Sequence, residues 1–162
     1  MQKFLNNNFL NLVARIIVGT IFLIAAISKI TDPAGFAKEI SNYQILPDFI
    51  INLLALILPW VEFFTSILII LGIRLISSSI ILITLIIIFN IAILIAMAKG
   101  LNINCGCHTK VMAELIGWRK VIENTILLLF SIYIYFGKGF KFTLENYLIK
   151  NYILSKIATF RN

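Results

Sequence analysis

The stretch LISSSIILITLIIIFNIAILIAMA, Leu75 to Ala98, decides the fold, because it runs for 24 residues with Asn90 as its one strongly polar side chain. A bilayer core about 30 Å thick needs about 20 mostly apolar residues in helical form. This run meets that need, and its isoleucine and leucine content shows none of the alternation, in segments of about 10 residues, that a membrane barrel strand requires. So many β-branched residues would disfavour a helix in water, but lipid offers the backbone no external partners and so imposes internal pairing.

Working outward, three further runs have the same character. One spans about Leu12 to Ile30 and is interrupted by Arg15 and Lys29. Another spans about Phe49 to Leu71, with Pro59, Trp60 and Glu62 inside it. The last spans about Trp118 to Phe136, with Glu123 and Asn124 near its start. The turn Gly72-Ile73-Arg74 is short enough to make its flanking runs antiparallel neighbours. The predicted fold is therefore an all-α membrane protein: a four-transmembrane-helix bundle over residues 1–136, followed by a basic amphipathic C-terminal segment, 137–162, lying at the interface.

Composition agrees. The 162 residues are 60% hydrophobic and 13% charged, against roughly 45–50% and about 25% in soluble domains. That excludes a soluble globular enzyme, a disordered chain and a disulfide-rich secreted scaffold. The net charge of +7 does not imply nucleic acid, because the basic residues flank apolar runs as they do in oriented membrane proteins. Four spans would put Lys3, Arg15, Arg74, Lys138, Lys141, Lys150, Lys156 and Arg161 on one side. Lys29, Lys38, Lys99, Lys110, Arg119 and Lys120 would lie on the other. This small bias predicts cytoplasmic termini in an inner membrane and a periplasmic loop from Lys99 to Gly117. The first run is a poor cleavable signal, because Arg15 and Lys29 interrupt it.

That loop holds both cysteines, in Asn104-Cys105-Gly106-Cys107-His108-Thr109. A disulfide across one intervening residue closes a small ring, and strained disulfides are the more readily reduced. Gly106 widens the accessible backbone angles, while His108 and Lys110 favour thiolate. Cys105 and Cys107 are thus candidate redox residues. An inert or permanently bridged pair is the competing reading. A soft metal ion on Cys105, Cys107 and His108 is another, but it lacks a fourth ligand and the usual two-residue spacer, so no metal is assigned.

Ionisable groups inside spans are expensive and mark functional or paired positions. Arg15 and Lys29 are 14 residues apart, within about 40° of one helix face. Arg15 is expected to snorkel to the interface. Lys29, Glu62, Glu123 and His108 are candidate proton-relay or supporting residues, with Glu123 one turn beyond Arg119 and placed for an ion pair. Asn90 and Asn124 are expected to form interhelical hydrogen bonds.

Together these residues resemble a family. Ala14-Arg15-Ile16-Ile17-Val18-Gly19-Thr20-Ile21-Phe22, then Ser28-Lys29-Ile30-Thr31-Asp32-Pro33-Ala34-Gly35-Phe36, resemble the first-helix signature of DoxX-like membrane proteins. Tyr43-Gln44-Ile45-Leu46-Pro47 and Pro59-Trp60-Val61-Glu62 continue the likeness, and Cys105-Gly106-Cys107 narrows it to the MauE, or methylamine-utilisation, branch over about residues 12–136. The resemblance implies a four-helix bundle working with a periplasmic thioredoxin-fold partner in disulfide formation or maturation of exported proteins, with a quinone as the cofactor of DoxX relatives. It matches Arg15, Lys29 and Glu62 to family polar positions and Cys105 and Cys107 to the family pair. His108-Thr109 departs from the Phe-Gly common after the second cysteine. Two other classes stay open: a non-catalytic scaffold or assembly factor, and a small-solute carrier built on Lys29 and Glu62.

Overall fold

In the computed structural model, residues 8–100, 118–137 and 143 are described. They form five helices: α1 (Asn8–Thr31), α2 (Pro33–Asn42), α3 (Asp48–Leu71), α4 (Leu75–Ala98) and α5 (Trp118–Phe136). Three of them are long and apolar enough to cross a membrane: Asn8–Thr31, Phe49–Leu71 and Leu75–Ala98. The expected fourth span, α5, is not among these three. Its 19 residues extend about 28 Å as a helix, but Arg119, Lys120 and Glu123 charge its first two turns more heavily than the three long apolar helices allow. The C-terminal segment predicted from 137 onward lies outside the described residues, apart from Gly137 and a buried Thr143.

The long helices pack in a ring. α1 lies chiefly against α3 and α5 chiefly against α4, while α1–α5 and α3–α4 contacts close the other two sides. Val18, Phe22, Ile69, Leu82, Ile86, Leu127 and Ile134 fill the centre. Ile24, Ile27, Leu53, Leu56, Phe64, Ile80, Ile88 and Ile91 face outward. So large an exposed apolar surface would aggregate in water but is what lipid solvates.

Caps and small residues fix how the helices meet. Asp32 caps α2, its Oδ1 accepting from the Gly35 N–H at 2.9 Å, with Pro33 pre-set in the first turn. This segment lies between two long apolar runs and carries Lys38 and Glu39, yet it is a ten-residue helix. α3 runs unbroken through Pro59 and ends at Gly72, whose φ of 73° is the left-handed cap geometry. The Gly72 N–H then reaches the Ile69 carbonyl at 3.2 Å and the Ile73 N–H the Leu68 carbonyl at 2.9 Å. Gly19 is where α1 touches α3. A Cβ there would collide with Ile70 and stand 3.3 Å from the Ser66 carbonyl. Small residues of this kind are what allow helix backbones to approach in lipid.

Candidate functional site

Two basic residues of α1 anchor it to α3. At one end Arg15 is 1% exposed, so it does not snorkel. Its Nε donates to the Ile69 carbonyl at 2.9 Å and an Nη donates to the Ile70 carbonyl at 2.9 Å. These carbonyls belong to the last turn of α3, where the helix leaves acceptor capacity unfilled and carries the negative end of its dipole; the Ile69 carbonyl accepts from Arg15 as well as from the Gly72 cap N–H. The expected snorkelling fails because a better acceptor than interfacial water lies on the neighbouring helix.

At the other end Lys29 meets Glu62. The Lys29 Nζ stands 2.9 Å from Glu62 Oε1 and 2.8 Å from Oε2, and the two side chains are 5% and 0% exposed. Sequence separation conceals the pairing, but helix geometry explains it. With Gly19 against Ser66, four residues along each antiparallel helix bring Glu62 level with Leu23, about 9 Å short of Lys29 along the axis. Side chains on a helix tilt toward its N-terminus, so Lys29 leans into the bundle and Glu62 leans to meet it. The lysine therefore points inward although its backbone is two residues from the end of α1.

The pair is enclosed by aromatic rings. The ammonium lies 5.0 Å from the centroid of Phe36 on α2 and 4.8 Å from that of Phe89 on α4, within the range for cation–π attraction of about 6 Å. A cavity of about 30 Å³ adjoins it, lined by Lys29, Glu62, Phe22, Phe89, Asn124 and Leu127 among others. That volume accommodates about one water-sized molecule. Four helices, α1, α3, α4 and α5, thus contribute to one mainly apolar chamber around the ion pair, and α2 covers the ammonium with Phe36.

The other candidates are dispersed. Glu123 is paired on its own helix, 3.4 Å from Arg119 Nε and 3.0 Å from Lys120 Nζ; it is not part of the chamber lining named for Lys29 and Glu62. Asn124 does line the chamber. Asn90 does not form the expected interhelical bond: among the described residues its Oδ1 is buried without a hydrogen-bond partner. Cys105, Cys107 and His108 lie outside the described residues. The segment that carries them joins the C-terminal end of α4 to the N-terminal end of α5. Lys99 at that α4 end donates to the Gln44 carbonyl at 2.8 Å, tying it to the turn after α2.

Two contributors to the chamber, and one buried polar residue away from it, escaped the sequence reading. Phe36 follows the Asp32-Pro33 helix-start signal, which was available and would have placed it on a short helix. Phe89 stands in an unbroken apolar run and carries no local signal. Asn11, 1% exposed with both carboxamide atoms unpartnered among the described residues, was lost in an asparagine-rich stretch.

The fold and site define a helical membrane protein with a buried lysine–carboxylate pair at the junction of its first and third helices. A family profile described as Methylamine utilisation protein MauE matches residues 7–137. The chain belongs to the MauE family. Methylamine utilization protein MauE of Paracoccus denitrificans is 27% identical over 114 residues, covering 70% of this chain and 61% of that protein. Its counterpart in Methylophilus methylotrophus is 26% identical over 136 residues, 83% of this chain and 72% of that one. The Methylorubrum extorquens protein is 30% identical over 106 residues, 65% and 57%. The match thus spans about three fifths of the length of the Paracoccus denitrificans relative. No solved structure matches the chain.

Proposed function

We propose that the protein is a membrane thiol–disulfide relay that serves methylamine utilisation by supporting disulfide formation in, or maturation of, exported proteins. The observation that carries this reading is the glycine-spaced pair Cys105-Gly106-Cys107, which falls inside the stretch matched to the MauE family. In disulfide formation, the Cys105–Cys107 disulfide oxidises a dithiol on a periplasmic thioredoxin-fold partner: two electrons and two protons pass to the pair, whose S–S bond breaks as the partner's S–S bond forms. The opposite direction is the same chemistry reversed. A quinone, which takes up two electrons and two protons on becoming a quinol, is the acceptor that returns the Cys105–Cys107 dithiol to the disulfide, and it extends the DoxX-like likeness of the first helix. His108 is the nearest proton acceptor in sequence, and a thiolate attacks faster where such a group removes its proton.

This reading includes four spans in an inner membrane, with α5 the fourth, both termini cytoplasmic, the cysteine segment periplasmic and residues 137–162 interfacial. Membrane-impermeant labelling of single introduced cysteines in a Cys-free background tests the topology: sites at the two termini should share one accessibility, and a site in 101–117 the opposite one. Thiol trapping in native membranes tests the chemistry. The pair should shift between reduced and oxidised forms with redox conditions, and Cys105→Ser/Cys107→Ser should abolish function. A pair fixed in one form under every condition, or a fully functional double variant, would leave a scaffold or assembly factor instead.

A further inference from the structure

The geometry points to a binding site for a small primary ammonium ion in the Lys29–Glu62 chamber, occupied at rest by the protein's own Lys29. The site has the parts that recognise an R–NH3+ group: a carboxylate taking two of its N–H bonds at 2.9 and 2.8 Å, and two phenyl rings at 5.0 and 4.8 Å from the nitrogen. The terminal Cε–Nζ unit of Lys29 is chemically an alkylammonium on a tether, so the chamber already demonstrates the fit. Space of about 30 Å³ remains beside it, lined by Asn124, which is 8% exposed.

Two features make exchange feasible rather than forbidden. Lys29 stands two residues from the end of α1, so a change of rotamer can carry its ammonium outward to the interface, the direction lysines near span ends ordinarily take. Replacing one ammonium by another also leaves the chamber neutral, and a neutral exchange avoids the heavy cost of an uncompensated buried carboxylate. Sodium matches the charge but brings no N–H donors. Tetramethylammonium engages rings but cannot donate to Glu62.

This inference is independent of the cysteine relay, and its test separates the two. Binding of radiolabelled methylammonium to the full-length protein in lipid nanodiscs is measured by equilibrium dialysis, with sodium and tetramethylammonium as competitors. Wild type should bind saturably but weakly, because the tethered lysine competes. Lys29→Ala removes that competitor; although it strands Glu62 and is destabilised, methylammonium should bind it at least tenfold more tightly than wild type and should restore its stability in proportion to occupancy. Phe89→Leu, which keeps an apolar side chain in the α4 core, should weaken binding severalfold in an intact protein. Cys105→Ser/Cys107→Ser should bind as wild type does. The proposal is overturned if Lys29→Ala binds no more tightly than wild type, if Phe89→Leu is without effect, or if tetramethylammonium competes as well as unlabelled methylammonium.

Discussion

Removing Lys29 alone should do far more harm than removing Lys29 and Glu62 together. In Lys29→Met the carboxylate of Glu62, 0% exposed, loses the partner that satisfied both of its oxygens. Stranding one member of a buried pair costs about 3–5 kcal/mol, whereas exchanging both for apolar groups of like volume is often neutral or stabilising. Lys29→Met/Glu62→Met should therefore recover most of the loss, with a coupling energy above about 2 kcal/mol. That exceeds ordinary polar contacts between membrane helices, which average about 0.6 kcal/mol because the unfolded chain in lipid also finds partners. The cation–π contacts with Phe36 and Phe89 add to the loss in Lys29→Met, so the two rings should become more mobile in that variant. The assay is reversible unfolding in bicelles by steric trapping, run on wild type, both single variants and the double variant. A Lys29→Met protein within 1 kcal/mol of wild type, or a double variant no more stable than the worse single one, would refute the reasoning.

Gly72→Ala should cost about 1–3 kcal/mol, because it forces a side chain into left-handed backbone and its Cβ into the Arg15 guanidinium; the same unfolding assay checks it, and Arg15→Met should blunt the penalty by emptying that space. Tyr43, at the end of α2, has its phenol pushed up to about 12, first by burial and then by the charge of Glu39. A raised folded value means the neutral phenol contributes stability that is intact below pH 10 and is lost as pH rises from about 10 towards 12. The phenolate absorbance difference between wild type and Tyr43→Phe should appear near pH 12; appearance near pH 10 would show that Tyr43 is solvated.

The long apolar helices were legible because lipid imposes one rule, internal pairing of the backbone, and Leu75–Ala98 satisfies it on length alone. Lys29 and Glu62 were legible as positions, since charge inside an apolar run is conspicuous. Their pairing was not. It depends on the register of α1 against α3, which Gly19 sets through contact with Ser66 and Ile70, and no local pattern encodes that offset. Arg15 was misjudged for the same reason: its acceptors are carbonyls 54 and 55 residues away. The α2 helix was not legible from apolar length, because its ten residues include Lys38 and Glu39; the Asp32-Pro33 cap is the local signal that marks it.

The two α1 anchors also explain how chains of such uniform apolarity choose one arrangement. Lipid is as apolar as leucine, so burial supplies no preference between one register of packed isoleucines and another. Polar contacts must supply it. Arg15 on the last turn of α3 and Lys29 on Glu62 hold α1 at two heights, with the close approach at Gly19 between them. A slip of one turn moves α1 by about 5.4 Å, which would pull the guanidinium off its carbonyls and the ammonium off its carboxylate together. Both charges would then face hydrocarbon at once, so the neighbouring registers are excluded jointly rather than one contact at a time. Phe36 and Phe89 join that selection only when Lys29 points inward, which couples the seating of α2 and α4 to the same register.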